Sequence, residues 1–377
     1  MNIYVVNEGD SVDTIASEFG VDASEIIYIN QLFYPYPLAI GQALLIPGNE
    51  DNQENKRKLI VNGYAYPYIN ERVLQATLPF LTELSVFSYG FDSNGNLIAP
   101  NVDPRWMIDE AVAGDVRPIL TLTPFGSDGM FNNQLISDVV NDNVAGYALI
   151  NNILEEVKRE RYAGVDVDFE YIKAEDRDAF TTWVARLTGV MNDNGYTVSV
   201  ALAPKTSDDQ QGLLYQGKDY GGLGAAANRV LLMTYEWGYT YSEPMAVAPV
   251  DKVRKVLDYA VTKIPRSKIS MGIPNYGYDW TLPYQKGVTK ATTIGNVEAV
   301  RIAIDHGAII RYDYTAQTPF FNYWDGSTEH EVWFEDVRSM KAKFDLINEY
   351  ELSGAGYWQI MRLFLANWIL LDSMFII

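Results

Sequence analysis

The feature that most constrains the fold is a regular alternation of strand-like and helix-like segments that begins near residue 58. Amphipathic runs such as VDKVRKVLDYAVTKI separate segments that are rich in β-branched and aromatic residues. Eight such segments are KLIVNGYAY, LSVFSYGF, RPILTLTPF, AGVDVDFEY, YTVSVALAPK, RVLLMTYEWG, ISMGIPNYGYDW and GAGYWQI. Eight parallel strands that alternate with helices close into a barrel. The sequence therefore predicts an α/β fold, a (β/α)8 TIM barrel, over residues 59–377.

This part of the chain exceeds the roughly 250 residues of a typical barrel of that kind. The surplus falls between the seventh and eighth strand segments, at about residues 282–332. Within it, RYDYTAQTPFFNYWDGSTEHEVWF has the composition of antiparallel strands. We therefore expect an α+β insertion between strands 7 and 8. It would form one side of any cleft at that end of the barrel.

A polar, charged stretch without aromatic residues, at residues 49–58, predicts a linker. Residues 1–48 predict a small separate βααβ unit, with IYVV and ALLIP as its strands. The order Y-x-V, GDS, IA, FGV, N and GQ-x-L-x-IP resembles the LysM module. The resemblance implies binding of N-acetylglucosamine-containing glycans, with Asp10, Ser11 and Asn30 as candidate contacts. A small scaffold that has lost this binding role is the alternative.

The composition excludes several classes of function. The formal net charge of -20 argues against nucleic acid as a partner and against attraction to an anionic membrane. There is no cysteine, which rules out disulfides and thiolate chemistry, and only two histidines are present. No segment approaches the roughly 18 to 20 apolar residues of a membrane span. The start, MNIYVVNEGDS, lacks the pattern of a cleavable secretory signal.

Aromatic and acidic residues recur where the predicted strands end, as in GYAY, FSYGF, DFEY, MTYEWG, PNYGYDW and GYW. In a (β/α)8 barrel, catalytic residues lie at the carboxyl ends of the strands. Aromatic faces stack on sugar rings, and carboxylates handle hydroxyl groups and protons. These strand ends therefore favour a carbohydrate substrate over a purely structural use of the aromatic residues.

The fourth strand segment places three carboxylates, Asp166, Asp168 and Glu170, two residues apart and thus on one face of a strand. Glu170 is the outermost, and burial together with neighbouring charges would keep it protonated as a general acid. Because both Asp168 and Glu170 come from one side, no opposite nucleophile is evident. Substrate-assisted cleavage, in which the 2-acetamido oxygen of the sugar attacks, fits this arrangement. Glu170 would be the acid, Asp168 would orient the acetamido group, and Tyr235 would donate a hydroxyl hydrogen bond.

The segment AGVDVDFE resembles the D-G-x-D-x-D-x-E signature of glycoside hydrolase family 18. MTYEWG and GYWQI are similar to that family's motifs on strands six and eight. The resemblance implies the catalytic roles of Glu170, Asp168 and Tyr235. It also implies a set of substrate-binding residues: Asp166, Tyr64, Met233, Glu236, Tyr276 and Trp358.

Two positions depart from the family pattern. Ala163 stands where the signature has its first aspartate, and Glu236 stands where the strand-six motif has an aspartate. Alanine at position 163 changes how Asp166 and Asp168 share charge, and we therefore expect it to affect the pH optimum. The second departure keeps the charge but lengthens the side chain by a methylene, which bears on a sugar hydroxyl contact.

A LysM unit ahead of a family 18 barrel resembles the bacterial spore cortex-lytic N-acetylglucosaminidases. The resemblance implies retaining hydrolysis of N-acetylglucosamine linkages in peptidoglycan, in spore cortex or its fragments during germination. It further implies location in the spore, no metal or other cofactor, and a monomer. Three alternatives stay open: a LysM-anchored chitinase, a non-catalytic glycan-binding coat protein, and a metal-dependent hydrolase that uses the aspartates. The insertion would decide between exo and endo cleavage.

Overall fold

The structure is a computed structural model that describes residues 1–48, 56–126 and 129–377. Most of the predicted linker, residues 49–55, lies outside the described residues. The strands are β1 (Asn2–Val5), β2 (Ala43–Ile46), β3 (Arg57–Lys58), β4 (Ile60–Ala65), β5 (Glu83–Phe91), β6 (Leu97–Ile98), β7 (Arg117–Leu122), β8 (Gly164–Val167), β9 (Thr197–Leu202), β10 (Arg229–Leu232), β11 (Ile269–Pro274), β12 (Gly277–Thr281), β13 (Thr292–Ile294), β14 (Arg311–Asp313), β15 (Thr318–Asp325), β16 (Thr328–Trp333), β17 (Gly354–Trp358) and β18 (Phe375–Ile376). The α-helices are α1 (Val12–Phe19), α2 (Ala23–Ile29), α3 (Glu71–Thr77), α4 (Arg105–Ala113), α5 (Gln134–Asn141), α6 (Asn143–Arg159), α7 (Arg177–Asp193), α8 (Tyr220–Ala226), α9 (Val250–Ala260), α10 (Asn296–Asp305), α11 (Val337–Glu349) and α12 (Leu365–Met374).

Parallel strands form a closed barrel in the order β4, β5, β7, β8, β9, β10, β11 and β17, and β17 pairs with β4 to complete the ring. The strands are buried on both faces because helices cover the outside and side chains fill the inside. Strand β11, for example, is buried at each of its positions. The predicted (β/α)8 barrel is confirmed, and the carboxyl ends of its strands meet at one end.

Residues 1–48 form the predicted βααβ unit, in which β1 and β2 pair antiparallel. Helix α1 begins at the N-cap Ser11, whose hydroxyl accepts a hydrogen bond from the Thr14 amide. It ends at Gly20, whose φ of 65° is the left-handed conformation that glycine adopts without strain. Ile26 and Leu44, both fully buried, belong to the unit's own core.

The N-terminal unit also packs against the barrel. Ile29 and Leu45 belong to the same buried apolar cluster as the barrel residues. The Leu365 amide, at the start of α12, donates a hydrogen bond of 2.7 Å to the side-chain oxygen of Gln31. The unit is therefore joined to the barrel by a shared core as well as by the chain.

A second junction links this unit to the region between β11 and β17. The Ile310 amide donates to the Ile40 carbonyl over 2.9 Å, and the Arg338 guanidinium donates to the Gly41 carbonyl over 3.1 Å. Gly41 has a φ of +83°, and a Cβ atom there would lie 1.9 Å from the Ile310 carbonyl oxygen. Only glycine fits this approach of two backbones.

The predicted insertion is a five-stranded antiparallel sheet in the order β13, β12, β16, β15 and β14, together with α10. It covers the expected range and also includes β12, which directly follows barrel strand β11. Phe321 and Val332, both fully buried, form part of a separate small core. Among the described residues, no helix has the length and apolar character needed to cross a bilayer.

Candidate active site

The acidic segment lies where β8 leaves the barrel. Strand β8 ends at Val167, so Asp166 lies in the strand whereas Asp168 and Glu170 follow its end. The strand is shorter than the sequence pattern predicts, although the Asp168 amide still donates to the Leu122 carbonyl over 2.9 Å. Asp166 is 1% exposed and Asp168 is 7% exposed, while Glu170 is partly exposed, so the predicted order of depth is correct.

Asp166 is held inside the barrel by two hydroxyl groups. The Tyr64 hydroxyl on β4 donates to one carboxylate oxygen over 2.8 Å, and the Ser199 hydroxyl on β9 donates to the other over 2.5 Å. Burial raises the pKa of Asp166, and the two hydrogen bonds oppose that rise. Both carboxylate oxygens therefore have partners within the fold.

The surroundings of the Asp168 carboxylate differ from those of Asp166. Its Oδ1 atom is buried and accepts no hydrogen bond from the described residues. Burial raises the pKa of Asp168 well above its usual range, and the nearby Glu170 and Asp166 charges add to the rise. Burial also raises the pKa of Glu170, and the Lys218 ammonium opposes the rise in both. The pair therefore holds a proton at higher pH than isolated carboxyls would.

Tyr235 lies beyond the end of β10 and is 9% exposed. Burial, followed by the Asp168 charge, raises its pKa well above the usual tyrosine value, so the hydroxyl keeps its proton. Within the part of the chain that the structure describes, this hydroxyl has no hydrogen-bond partner. It is a neutral donor available to a ligand.

A cleft of about 630 Å³ opens over these groups at the carboxyl end of the barrel. Of the predicted site residues, it brings together Asp168, Glu170, Met233, Tyr235, Glu236 and Trp358. The Trp358 ring lies at the end of β17, 4.9 Å from the Phe87 ring and 5.9 Å from the Tyr64 ring between centroids. Acids and aromatic faces in one cleft match what a sugar ring requires.

Three predicted substrate contacts lie behind the cleft wall rather than on it: Asp166, Tyr64 and Tyr276. The Tyr276 hydroxyl donates to the Glu236 carboxylate over 2.5 Å, and Tyr278 donates to the same oxygen over 3.0 Å. Glu236 has a φ of 66°, which is uncommon for a residue other than glycine. Tyr276 therefore contacts Glu236, and Glu236 is the member of this group that reaches the cleft.

Comparison with known proteins supports the chemistry of the cleft. The family profile for glycosyl hydrolases family 18 matches residues 121–362, and the LysM domain profile matches residues 4–47. The chain is a family 18 glycosyl hydrolase. The family match contains β8, β10, β11 and β17, which are the strands that carry most of the cleft.

The most similar relatives that we compared match this hydrolase over nearly the full length. The "Cortical fragment-lytic enzyme" of Bacillus subtilis (strain 168) is 39% identical, covering 100% of this chain and 98% of its own. The "Putative sporulation-specific glycosylase YdhD" of the same organism is 35% identical, covering 95% and 84%. The crystal structure of the spore cortex-lytic enzyme SleL from Bacillus megaterium superposes with a TM-score of 0.93 at 34% identity, covering 99% and 98%.

The polar residues predicted to bind glycan in the LysM unit of this hydrolase have partners within the fold. The Asp10 carboxylate accepts hydrogen bonds from the Asn7 amide over 2.7 Å and the Tyr4 hydroxyl over 2.8 Å. Ser11 is the N-cap of α1, and its own amide donates to the Thr14 hydroxyl over 3.0 Å. Both residues shape the loop between β1 and α1.

Asn30 ends α2 and ties it to β2. Its amide nitrogen donates to the carbonyls of Ile26 and Leu45, each over 2.9 Å, and its amide oxygen accepts from the Leu45 amide over 2.8 Å. The side chain thus fixes the loop that follows α2.

Residues that the sequence analysis did not assign a role lie behind the hydrolase cleft and on its wall. Lys218, in the loop between β9 and α8, is completely buried beside the acidic segment. No periodicity marks this loop, so no sequence pattern indicates Lys218. Aromatic residues on the cleft wall lie in or after barrel strands whose ends the sequence highlights as a group; they are Tyr66, Phe87, Phe125, Trp237 and Tyr239.

Proposed function

We propose that this family 18 hydrolase cleaves the bond that follows N-acetylglucosamine in spore cortex peptidoglycan or in fragments of it. Two kinds of observation support the substrate. Relatives that match nearly the whole chain carry the names cortical fragment-lytic and spore cortex-lytic enzyme. The cleft combines acids with aromatic faces, as a polysaccharide-binding site does. The observation that carries the mechanism is the buried Asp168 Oδ1, which has no partner among the described residues.

The first step of the proposed reaction breaks the glycosidic bond. The protonated Glu170 carboxyl donates its proton to the glycosidic oxygen, and the oxygen of the sugar's own 2-acetamido group attacks the anomeric carbon. Asp168 Oδ1 accepts the acetamido N–H and balances the positive charge that develops on the group. The Tyr235 hydroxyl donates to the acetamido oxygen and holds it in line for attack.

The second step restores the enzyme. The Glu170 carboxylate, which has lost its proton, accepts one from a water molecule, and that water attacks the anomeric carbon. The bond to the acetamido oxygen breaks, and the sugar leaves with the configuration it had at the start, since two displacements have occurred. This route needs no carboxylate nucleophile on the opposite face of the sugar, which agrees with the position of Asp168 and Glu170 after one strand.

The same proposal covers the domain roles, the remaining cleft residues, the location and the oligomeric state. We assign residues 1–48 to glycan binding, 49–58 to a linker and 59–377 to the catalytic barrel, in line with the two family matches. Trp358 and Met233 would bind the sugar ring from the cleft wall. The names of the relatives support action in the spore, and a monomer is the simplest state for a cleft built from one barrel.

The test is product analysis by mass spectrometry on purified cortex peptidoglycan, both intact and pre-cut by a transglycosylase. Borohydride reduction before analysis labels each new reducing end. We expect N-acetylglucosaminitol ends and no new muramitol ends, because the bond after N-acetylglucosamine is cut. Glu170→Gln should lower release by about a thousandfold or more, since the acid is lost while the shape stays.

Two results would contradict this proposal. Undiminished release by Glu170→Gln would show that another group is the acid. Release from chitin oligomers without release from either cortex sample would favour the chitinase alternative. The ratio of the rates on intact and pre-cut cortex further shows which form is the substrate.

A further inference from the structure

Lys218 occupies an unusual position for a lysine. The side chain is 0% exposed, and its ammonium donates hydrogen bonds to the carbonyl of Phe169 and, over 3.2 Å, to the carbonyl of Ala201. Phe169 is the residue between Asp168 and Glu170. A buried ammonium is costly unless charges and hydrogen bonds compensate for its lost hydration. The compensation here comes from the backbone and carboxylates at the end of β8.

The charges around this ammonium are predominantly acidic. Burial lowers the pKa of Lys218 to about 8, and the carboxylates of Asp168, Glu170 and Asp166 oppose that fall. A second buried lysine, Lys205, donates to the Lys218 carbonyl over 3.1 Å. The titratable groups that face the acid pair and Lys218 are Asp166, Tyr64, Tyr66, Tyr171, Tyr235 and Glu236. Lys205 faces a different set, which is Arg177, Asp208, Asp219 and Lys263.

We propose that Lys218 is a positioning residue whose fixed positive charge keeps Asp168 ionised while Glu170 holds the proton. The inference rests on the proposed function, because it concerns the charge state which that reaction needs. Two carboxyls in a buried site hold on to their protons, and a nearby ammonium lets the first proton leave at lower pH. The hydrogen bond to Phe169 also fixes the backbone on which both acids stand.

The sign of the effect follows from the charges. The active form of the pair carries one proton, so the acid limb of kcat/KM reports loss of the first proton and the alkaline limb reports loss of the second. Removing the ammonium raises the pKa of both acids. Both limbs should therefore move to higher pH, and activity at acidic pH should fall.

The experiment compares pH profiles of kcat/KM for wild type, Lys218→Met and Lys205→Met. We expect the acid limb of Lys218→Met to move up by about one pH unit, with about a tenfold loss at pH values below that limb. Lys205→Met is the matched control, because it removes a buried lysine that does not face the acid pair. The acid and alkaline limbs of its kcat/KM profile should lie at the same pH as those of the wild type, even if the value of kcat/KM differs.

A Lys218→Met profile that coincides with the wild-type profile would overturn the proposal, and so would an equal shift in Lys205→Met. Failure of the proposed function looks different. In that case Glu170→Gln stays active, whereas failure of the Lys218 proposal alone leaves Glu170→Gln inactive with an unmoved profile in Lys218→Met.

A second pair of proteins covers the case in which Lys218→Met does not fold. The chain has no cysteine, so Lys218→Cys can be alkylated at one site in denaturant and refolded. An aminoethyl adduct rebuilds the ammonium, and a propyl adduct has the same length without the charge. We expect the wild-type acid limb with the aminoethyl adduct and the shifted limb with the propyl adduct. Identical limbs in the two adducts would overturn the proposal.

Discussion

The LysM unit and the catalytic cleft both contain polar residues that the sequence assigns to glycan, yet the two regions use them differently. In the LysM unit, Asn30 makes three hydrogen bonds to the backbone of its own unit. In the cleft, Asp168 Oδ1 and the Tyr235 hydroxyl have no partner among the described residues. Buried polar groups are almost always paired in folded proteins, so an unpaired one calls for an explanation.

The difference teaches how to separate structural from functional polar residues. A side chain whose hydrogen bonds are complete within the fold contributes to stability, and its loss leaves partners unpaired. A side chain held in place without partners is available to a ligand. Substitutions in the LysM unit should therefore change the free energy of unfolding, and substitutions in the cleft should change the rate.

After Glu170→Gln, the largest effect is expected for Tyr235→Phe. Loss of the hydroxyl should lower kcat by about a hundredfold with little change in stability, since no partner in the described fold is lost. Steady-state kinetics and urea unfolding measure the two quantities. Tyr162→Phe is the matched control, because its hydroxyl is outside the cleft and donates a hydrogen bond to that of Tyr89. A rate equal to wild type in Tyr235→Phe would remove Tyr235 from the reaction.

Asn30→Ala should lower the free energy of unfolding by about 2 kcal/mol, because three side-chain hydrogen bonds are lost, two of which join α2 to the Leu45 backbone of β2. Urea unfolding measures this change, and kcat on a small soluble substrate should stay the same. Asn7→Ala is the control, since its side chain is exposed and its hydrogen bonds are 3.3 Å long. Unchanged stability together with lost glycan binding would instead assign Asn30 to the ligand.

Asp168→Asn should stabilise the protein by about 1 kcal/mol at pH 7 while activity falls. The raised pKa of Asp168 means that the folded state binds this proton more tightly than the unfolded chain does. The ionised carboxylate therefore opposes folding at pH 7, and this penalty disappears as pH falls toward the unfolded value near about 4.

Urea unfolding of Asp168→Asn at several pH values checks that sign. The advantage over wild type should shrink as the solution becomes more acidic. Asp142→Ala is the contrasting control, because Asp142 caps α6 through the amides of Val144 and Ala145 and its loss should destabilise. A destabilised Asp168→Asn would mean that the carboxylate stabilises the fold. Asp168 would then have a structural role, as Asn30 does.

The smallest effect is expected for Ser11→Ala, which removes the N-cap of α1 and should cost about 1 kcal/mol or slightly less. Thermal unfolding of the full chain measures it, and Ser11→Asp, which retains a capping oxygen, should restore most of the loss. Glycan affinity should change only in proportion to unfolding. A large loss of affinity in a stable Ser11→Ala would place this hydroxyl on the ligand.

The sequence predicts the fold of this protein better than its site. The barrel strands follow from composition and from their alternation with helices, because a parallel strand that is covered on both faces is mainly apolar, as the fully buried β11 is. The end of β8 does not follow, since VDVDFE alternates up to Glu170 while the strand itself ends at Val167. Tyr64 and Asp166 meet across 102 residues, and only the closed barrel reveals that contact. Lys218 lies in a loop whose burial depends on the packing of β9 and α8.

The approach of Gly41 to Ile310 has a consequence for how such chains can be rearranged. The LysM unit meets the catalytic part through backbone atoms, with no space for a side chain at Gly41. A replacement unit would have to supply glycine at that position, as well as apolar residues in place of Ile29 and Leu45. A chimaera that joins the LysM unit of one protein to the barrel of another within residues 49–58 would therefore fold stably only when the two parents share this contact surface.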